Sequence, residues 1–182
     1  MLVAALDLGT NSFLCLIAEV SGQGKGRRLK VVKDMAELVR LGQGVHEHRR
    51  FHPEALERAR KTLESFRHQI DSFKPQVVVA TATSAARDVS NGYELLEICK
   101  TLNIPIATIS GDLEARLSFA GAISGLASVD NKTVGLIDVG GGSTELVCGN
   151  SGGEVKAQSF NIGAVRMTEM FFSKDPTDPT KV

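Results

Sequence analysis

Cysteine is scarce in this chain, and charge of one sign does not dominate it. Cys15, Cys99 and Cys148 stand far apart in 182 residues, with no Cys-x-x-Cys pair. That spacing argues against a disulfide framework or a zinc site. It fits reduced thiols packed as small hydrophobes in a cytoplasmic protein. The 21 Lys and Arg residues cancel against 21 Asp and Glu, which argues against a nucleic-acid binder with a strong basic field. Histidine supplies no metal motif: His46, His48 and His52 cluster without a helical ligand spacing and read as loop residues. The one long apolar stretch, residues 2–20, has no basic segment before it and carries Asp7, Asn11 and Ser12 within it. A charge in the middle of a membrane helix costs about 2.5–3.5 kcal/mol, so two strands joined by a polar turn fit better than a membrane span or a signal peptide.

What is present is a chain rich enough in apolar residues, 42%, to bury a core. Strands are expected at Leu2–Leu8, Phe13–Val20 and Leu29–Leu41, with a glycine-rich loop at Ser21–Gly26. Leu56, Ala59, Leu63, Phe66, Ile70 and Phe73 form one helical stripe behind Pro53, and Pro75 ends it. Val77–Ala80 reads as a buried strand, Tyr93–Leu102 as a helix capped by Ser90 or Asn91, and Ile104–Ile109 as another buried strand. Ser110 can cap a helix over residues 111–126. The alternation β-β-β-α-β-α-β-α implies a sheet with a parallel part, covered by helices. Ser124–Lys132 is small and polar and marks a boundary between a first domain, 1–125, and the opening of a second, 126–182. In the second, strands are expected at Thr133–Val139, Thr144–Gly149 and Val155–Phe160, then a helix at Ala164–Phe172, then loop from Asp175. Residues 25–61 hold eleven Lys and Arg against five Asp and Glu, either a solvated face or a surface that attracts a polyanion.

The two domains open alike. Ala5-Leu6-Asp7-Leu8-Gly9-Thr10-Asn11-Ser12 and Ile137-Asp138-Val139-Gly140-Gly141-Gly142-Ser143-Thr144 share strand, Asp, apolar residue, Gly, small polar turn, strand, at an offset of 131 residues. This is an internal repeat of domain size. An Asp at a strand end projects toward the following loop, and glycines let a backbone bring its N–H groups close to a phosphate. Two such loops would form a phosphate clamp, with the carboxylates positioning Mg²⁺. Read alone, the Asp7 turn is commonplace; three glycines between Asp138 and Glu145 are more than a hairpin needs. Arg87, in Ala82-Thr83-Ser84-Ala85-Ala86-Arg87-Asp88-Val89-Ser90-Asn91, is either a phosphate ligand or a surface ion pair. Glu114, in Ser110-Gly111-Asp112-Leu113-Glu114-Ala115-Arg116, either complements a helix dipole or serves a ligand at the end of the sheet.

Together, ALDLGTNS, ATSAARDVSN, ISGDLEAR, IDVGGGSTE and IGAVR, in this order, closely resemble the exopolyphosphatase/guanosine pentaphosphate phosphohydrolase (Ppx/GppA) family over essentially the whole chain. The resemblance implies an α/β fold: an actin-like, ribonuclease-H-like domain with a mixed five-stranded sheet and flanking helices, plus the start of a second domain of the same type. It implies removal of terminal orthophosphate from polyphosphate or of the 5′-γ-phosphate from pppGpp. By motif, Glu114 matches the catalytic base. Asp138 and Glu145 match the acids that hold Mg²⁺ and assist catalysis. Asp7 matches the first-loop metal acid, and Asn11, Ser12, Arg87, Gly140, Gly141, Gly142 and Ser143 line the phosphate path. Leu113 stands where the family often has a second Glu, and Val89 where Ala is common. Such chemistry needs positioning and charge neutralisation more than a covalent nucleophile.

Two other functional classes remain open to the residues: a sensor that binds polyphosphate or guanosine tetraphosphate with little turnover, and, more weakly, a kinase-type relative. Family members continue beyond the point where this sequence stops. A fragment of a longer protein is therefore expected, with residues 126–182 less stable than the first domain, apolar side chains such as Phe160, Ile162 and Met170 uncovered, and weak hydrolysis. A second copy of the chain is the candidate protein partner; no membrane or nucleic-acid partner is expected.

Overall fold

The apolar opening of the chain folds as a hairpin. In the computed structural model, which describes residues 1–22, 27–126, 132–150 and 153–172, β1 (Leu2–Leu8) and β2 (Ser12–Ser21) pair antiparallel, Leu8 opposite Phe13. Strand alternation sends Ala4, Leu6, Leu8, Phe13, Cys15 and Ile17 into the core and Ala5, Asp7 and Leu14 to the other face. Among the described residues no helix is long and apolar enough to cross a membrane. The expected loop at 21–26, boundary at 124–132 and terminal loop from Asp175 lie partly or wholly outside the described residues.

The chain divides into two units, Met1–Thr108 and Ile109–Val182. In the first, β3 (Arg28–Leu38) joins β2, while β4 (Val77–Ala82) and β5 (Ile106–Thr108) run parallel to β1, giving the order β3-β2-β1-β4-β5. This is the mixed five-stranded sheet expected. Helix α2 (Pro53–Phe73) lays its stripe, Leu56, Ala59, Leu63, Phe66 and Ile70, on that core beside α4 (Gly92–Thr101). Pro53 begins α2, whose N-cap is His52. Short helices α1 (Val45–His48) and α3 (Ser84–Arg87) occupy stretches read as loop, so His46 and His48 are helical.

Several expectations need correction. β3 ends at Leu38 rather than Leu41, because the amides of Val39 and Arg40 turn to the Asn11 carbonyl. β4 is not buried on both faces: Val77 and Val79 are exposed, since α2 and α4 cover the same side of the sheet. Asn91 occupies the N-cap position of α4 without capping it; its buried carboxamide instead accepts from the Phe51 amide at 2.7 Å and donates to the Phe51 carbonyl.

The second unit is β6 (Val134–Val139), β7 (Thr144–Gly149) and β8 (Val155–Phe160), antiparallel in that order, with α5 (Gly111–Gly125) and α6 (Ala164–Phe171). Ser110 caps α5 as expected, accepting from Leu113 N–H at 3.2 Å. The sequence assigned α5 to the first domain; its Ala115, Phe119 and Ile123 instead pack with Val147, Val134, Leu136 and Val155. At the 131-residue offset, core residues Leu6 and Leu8 of the first sheet correspond to Ile137 and Val139. These are 69% and 66% exposed, because α5 covers the opposite face. Phe160, Ile162 and Met170 are exposed as expected.

Burial separates the thiols. Burial, with the Asp34 charge adding to it, pushes Cys15 up to about 11, and burial pushes Cys99 up to about 12, against 9.0 for a free thiol. Cys148 is exposed. The unfolded chain therefore releases these two protons first as pH rises. Stability should be insensitive to them below about pH 9 and fall from there through the native values, read as a declining denaturation midpoint. A thiol reagent should modify Cys148 in the native chain and reach Cys15 and Cys99 only on unfolding. Equal labelling of all three would contradict this packing.

Candidate active site

The repeat read in the sequence is a repeat in geometry. The β1–β2 turn is closed by the Gly9 N–H donating to the Ser12 carbonyl at 3.1 Å, the β6–β7 turn by Gly140 N–H donating to Ser143 at 2.9 Å. At both positions a Cβ would press on that same carbonyl oxygen, 2.9 Å from Ser12 and 3.1 Å from Ser143. The close approach explains why glycine stands there twice.

Each turn is fastened by a later segment. Asn11 O accepts from Val39 and Arg40, and Thr10 O from Gly42 at 2.8 Å. In the second unit, Gly140 O accepts from Ala164 at 2.9 Å, and Gly141 O from Val165 at 2.8 Å and Arg166 at 3.0 Å. Arg166 also donates its Nε to Gly142 O at 2.8 Å. Thr144 donates its hydroxyl to Ile162 O at 2.5 Å, anchoring the entry to this strap.

Asp138 and Glu145 are register partners of β6 and β7, so their side chains share a face. It is the face α5 covers. Ser118 of α5 donates to Asp138 Oδ2 at 2.6 Å, and Ser159 of β8 donates to Glu145 Oε1 at 2.7 Å. Glu145 is 1% exposed, whereas Asp138 is half-buried. Glu114 lies one helical turn before Ser118 and so on the same side of α5; its amide closes the first turn onto Ser110 O. The second unit thus holds the facing pair Asp138 and Glu145, the turn Gly140–Ser143 between them, and Glu114 on the helix that reaches Asp138 through Ser118.

The first unit holds the other candidates. Asp7 is exposed on β1, opposite Leu14 on β2 and Thr81 on β4. Because β1 and β4 are parallel and in register at Leu8 and Ala82, the turn carrying Asn11 and Ser12 shares a sheet edge with α3. The half-buried Arg87 is the last residue of that helix. Among the described residues no group of three or more His, Cys, Asp or Glu is placed to hold a metal ion. Sequence reasoning missed Ser118, Ser159, Gly163 and Arg166. The spacing of four between Glu114 and Ser118 was the available signal for the first, and the motif IGAVR for Gly163 and Arg166; Ser159 depends on strand pairing that no local pattern carries.

This topology, a mixed sheet in the order β3-β2-β1-β4-β5 followed by a second hairpin of the same design, defines an actin-like α/β protein. The model of the Ppx/GppA phosphatase family matches residues 16–182, and the chain belongs to that family. It is 41% identical over 182 residues to Exopolyphosphatase 2 of Mycobacterium tuberculosis, covering 96% of this chain and 56% of that protein. It is 40% identical over 174 residues to a bifunctional 3-dehydroquinate synthase/phosphatase of Fusobacterium nucleatum, 93% of this chain and 26% of that protein. The chain thus spans about half or less of the length of these relatives. Among solved structures, an exopolyphosphatase from Cytophaga hutchinsonii superposes with a TM-score of 0.87 at 33% identity, covering 99% of this chain and 56% of that one. The Aquifex aeolicus Ppx/GppA family member gives 0.76 at 31%, over 100% and 57%.

The strap demands glycine at position 163. A Cβ there would sit 2.5 Å from the carbon and oxygen of Gly141 and 2.6 Å from the Gly142 carbon. These are backbone atoms that cannot swing aside. Gly163→Ala should therefore destabilise the chain by about 1–3 kcal/mol, as overpacking does. Gly121→Ala, in α5 with nothing within 4 Å, should stabilise by about 0.5–1 kcal/mol. Denaturant melts of the two variants check this; matched midpoints would show that the strap is not tightly packed.

Proposed function

We propose that this chain carries the hydrolytic centre of an exopolyphosphatase, which releases terminal orthophosphate from inorganic polyphosphate and, by the same chemistry, the 5′-γ-phosphate of pppGpp. The observation that carries the reading is the facing pair Asp138 and Glu145 flanking the triglycine turn, with Ser118 of the helix that carries Glu114 bonded to Asp138. The 41% identity to Exopolyphosphatase 2 supports polyphosphate as the first substrate to test.

The residues divide the work by exposure and place. Backbone N–H groups of Gly140–Ser143 hold phosphate oxygens in the second unit, and Asn11, Ser12 and Arg87 are the phosphate ligands of the first. Glu114 orients the attacking water and takes its proton. Asp138, half-buried, would be the principal metal carboxylate; Glu145, buried opposite it, would add negative charge that favours a bound cation, and Asp7 is the corresponding acid of the first unit. The donors are carboxylate and hydroxyl oxygens, which suit Mg²⁺. Such an ion would be held by one or two carboxylates together with substrate phosphates rather than by an all-protein cage. When bound, it would neutralise charge on the leaving phosphate.

Orthophosphate release from polyphosphate and from pppGpp, with Mg²⁺, tests the reading. Glu114→Ala and Asp138→Asn should each lower release at least about a hundredfold with the circular dichroism spectrum unchanged. Tight ligand binding by a folded protein with no release would mark a sensor instead. Wild-type rates in Glu114→Ala would remove that residue from the reaction.

A further inference from the structure

Arg166 belongs to none of the roles above, yet it makes two contacts with the triglycine turn. Its amide donates to Gly141 O at 3.0 Å and its guanidinium Nε to Gly142 O at 2.8 Å. With Ala164 and Val165 donating to Gly140 O and Gly141 O, three successive carbonyls of the turn are tied to one strap. A trans peptide is planar, and its C=O and N–H point in opposite directions. Each tied carbonyl therefore fixes the direction of the next residue's N–H: Gly140 O that of Gly141, Gly141 O that of Gly142, and Gly142 O that of Ser143. All three N–H groups are turned away from the strap. Among the described residues, those of Gly141 and Gly142 meet no acceptor.

The first unit repeats the device with different parts. Thr10 O and Asn11 O are tied by Gly42, Val39 and Arg40, which by the same planarity turns away the N–H groups of Asn11 and Ser12. An arginine again secures the strap: Arg58 donates Nε to Val39 O at 2.7 Å and Nη2 to Arg40 O at 3.2 Å. The two guanidinium groups differ in what they hold: Arg58 bonds the strap's own carbonyls and acts on the first turn only through the strap, whereas Arg166 bonds a carbonyl of the triglycine turn itself.

We propose that Arg166 is a positioning residue for phosphate: its Nε bond to Gly142 O sets the Gly142–Ser143 peptide plane and so aims the third N–H of the turn. This rests on the phosphate-binding role given to Gly140–Ser143 above. Loss of a hydrogen bond from a charged donor at such a site should weaken phosphate binding about tenfold.

The test is calorimetric titration of the full chain with tripolyphosphate and excess Mg²⁺, beside amide NMR of Gly141, Gly142 and Ser143. Arg166→Ala should bind about tenfold more weakly, with the Ser143 amide shifted and the melting temperature little changed. Free guanidinium, well below denaturing concentrations, should restore both binding and the Ser143 resonance. Arg166→Lys keeps the charge but lacks Nε, and should show the same loss; it serves also if Arg166→Ala does not fold. Wild-type affinity in Arg166→Lys, or a loss in Arg166→Ala that guanidinium does not repair, would overturn the proposal. No tripolyphosphate binding by the wild-type chain would instead overturn the phosphate-binding reading on which it rests.

Discussion

Two carboxylates face one another across a single strand pair, and much of the second unit answers to that fact. Asp138 and Glu145 are direct register partners on the α5 side of the sheet. Like charges directly opposite one another on a strand pair repel. Hydroxyls offset part of this: Ser118 reaches Asp138 from the helix and Ser159 reaches Glu145 from the neighbouring strand. A helix, two hairpin strands and the edge strand are thus tied to one pair of acids. Neutral hydroxyl donors do not cancel the charge, and the proposed Mg²⁺ with its phosphate ligands is the natural complement.

The internal repeat sharpens this point by where it breaks. Offset by 131 residues, Asp7 corresponds to Asp138 and the turn closures coincide, but the residue opposite Asp7 is Leu14 where the residue opposite Asp138 is Glu145. One hairpin design therefore gives a single exposed acid in the first unit and a facing pair in the second. The covering differs as well. Helices α2 and α4 bury the Leu6 and Leu8 side of the first sheet, whereas α5 packs on the Asp138 side of the second, leaving Ile137 and Val139 exposed. The same strand pattern thus carries its acid on an open face in one unit and under a helix in the other.

The sequence made the hairpins, the α2 stripe, the Ser110 cap and the repeat legible, because each is written in local spacing: period two, period 3.6, or a capping residue before a helix. It also brought Glu114, Asp138 and Glu145 forward as acids of interest. It did not reveal which sheet α5 would cover. Ala115, Phe119 and Ile123 announce an apolar stripe but not its partner, and strand–helix alternation pointed to the wrong sheet. Nor could it reveal that Asn91 would serve Phe51 rather than cap its own helix, or that Ser159 and Arg166 would reach back fourteen and twenty-four residues to Glu145 and Gly142. These are consequences of register and packing, which bring together residues that the chain keeps apart.

The measurement closest to the centre of this account is diffraction at the manganese absorption edge from crystals of the protein grown with Mn²⁺ and pyrophosphate. The account predicts an anomalous peak at the Asp138 carboxylate, with a phosphate oxygen on the same ion and the pyrophosphate against the Gly140–Ser143 amides. Pyrophosphate bound elsewhere, or no peak at Asp138 at saturating Mn²⁺, would contradict it.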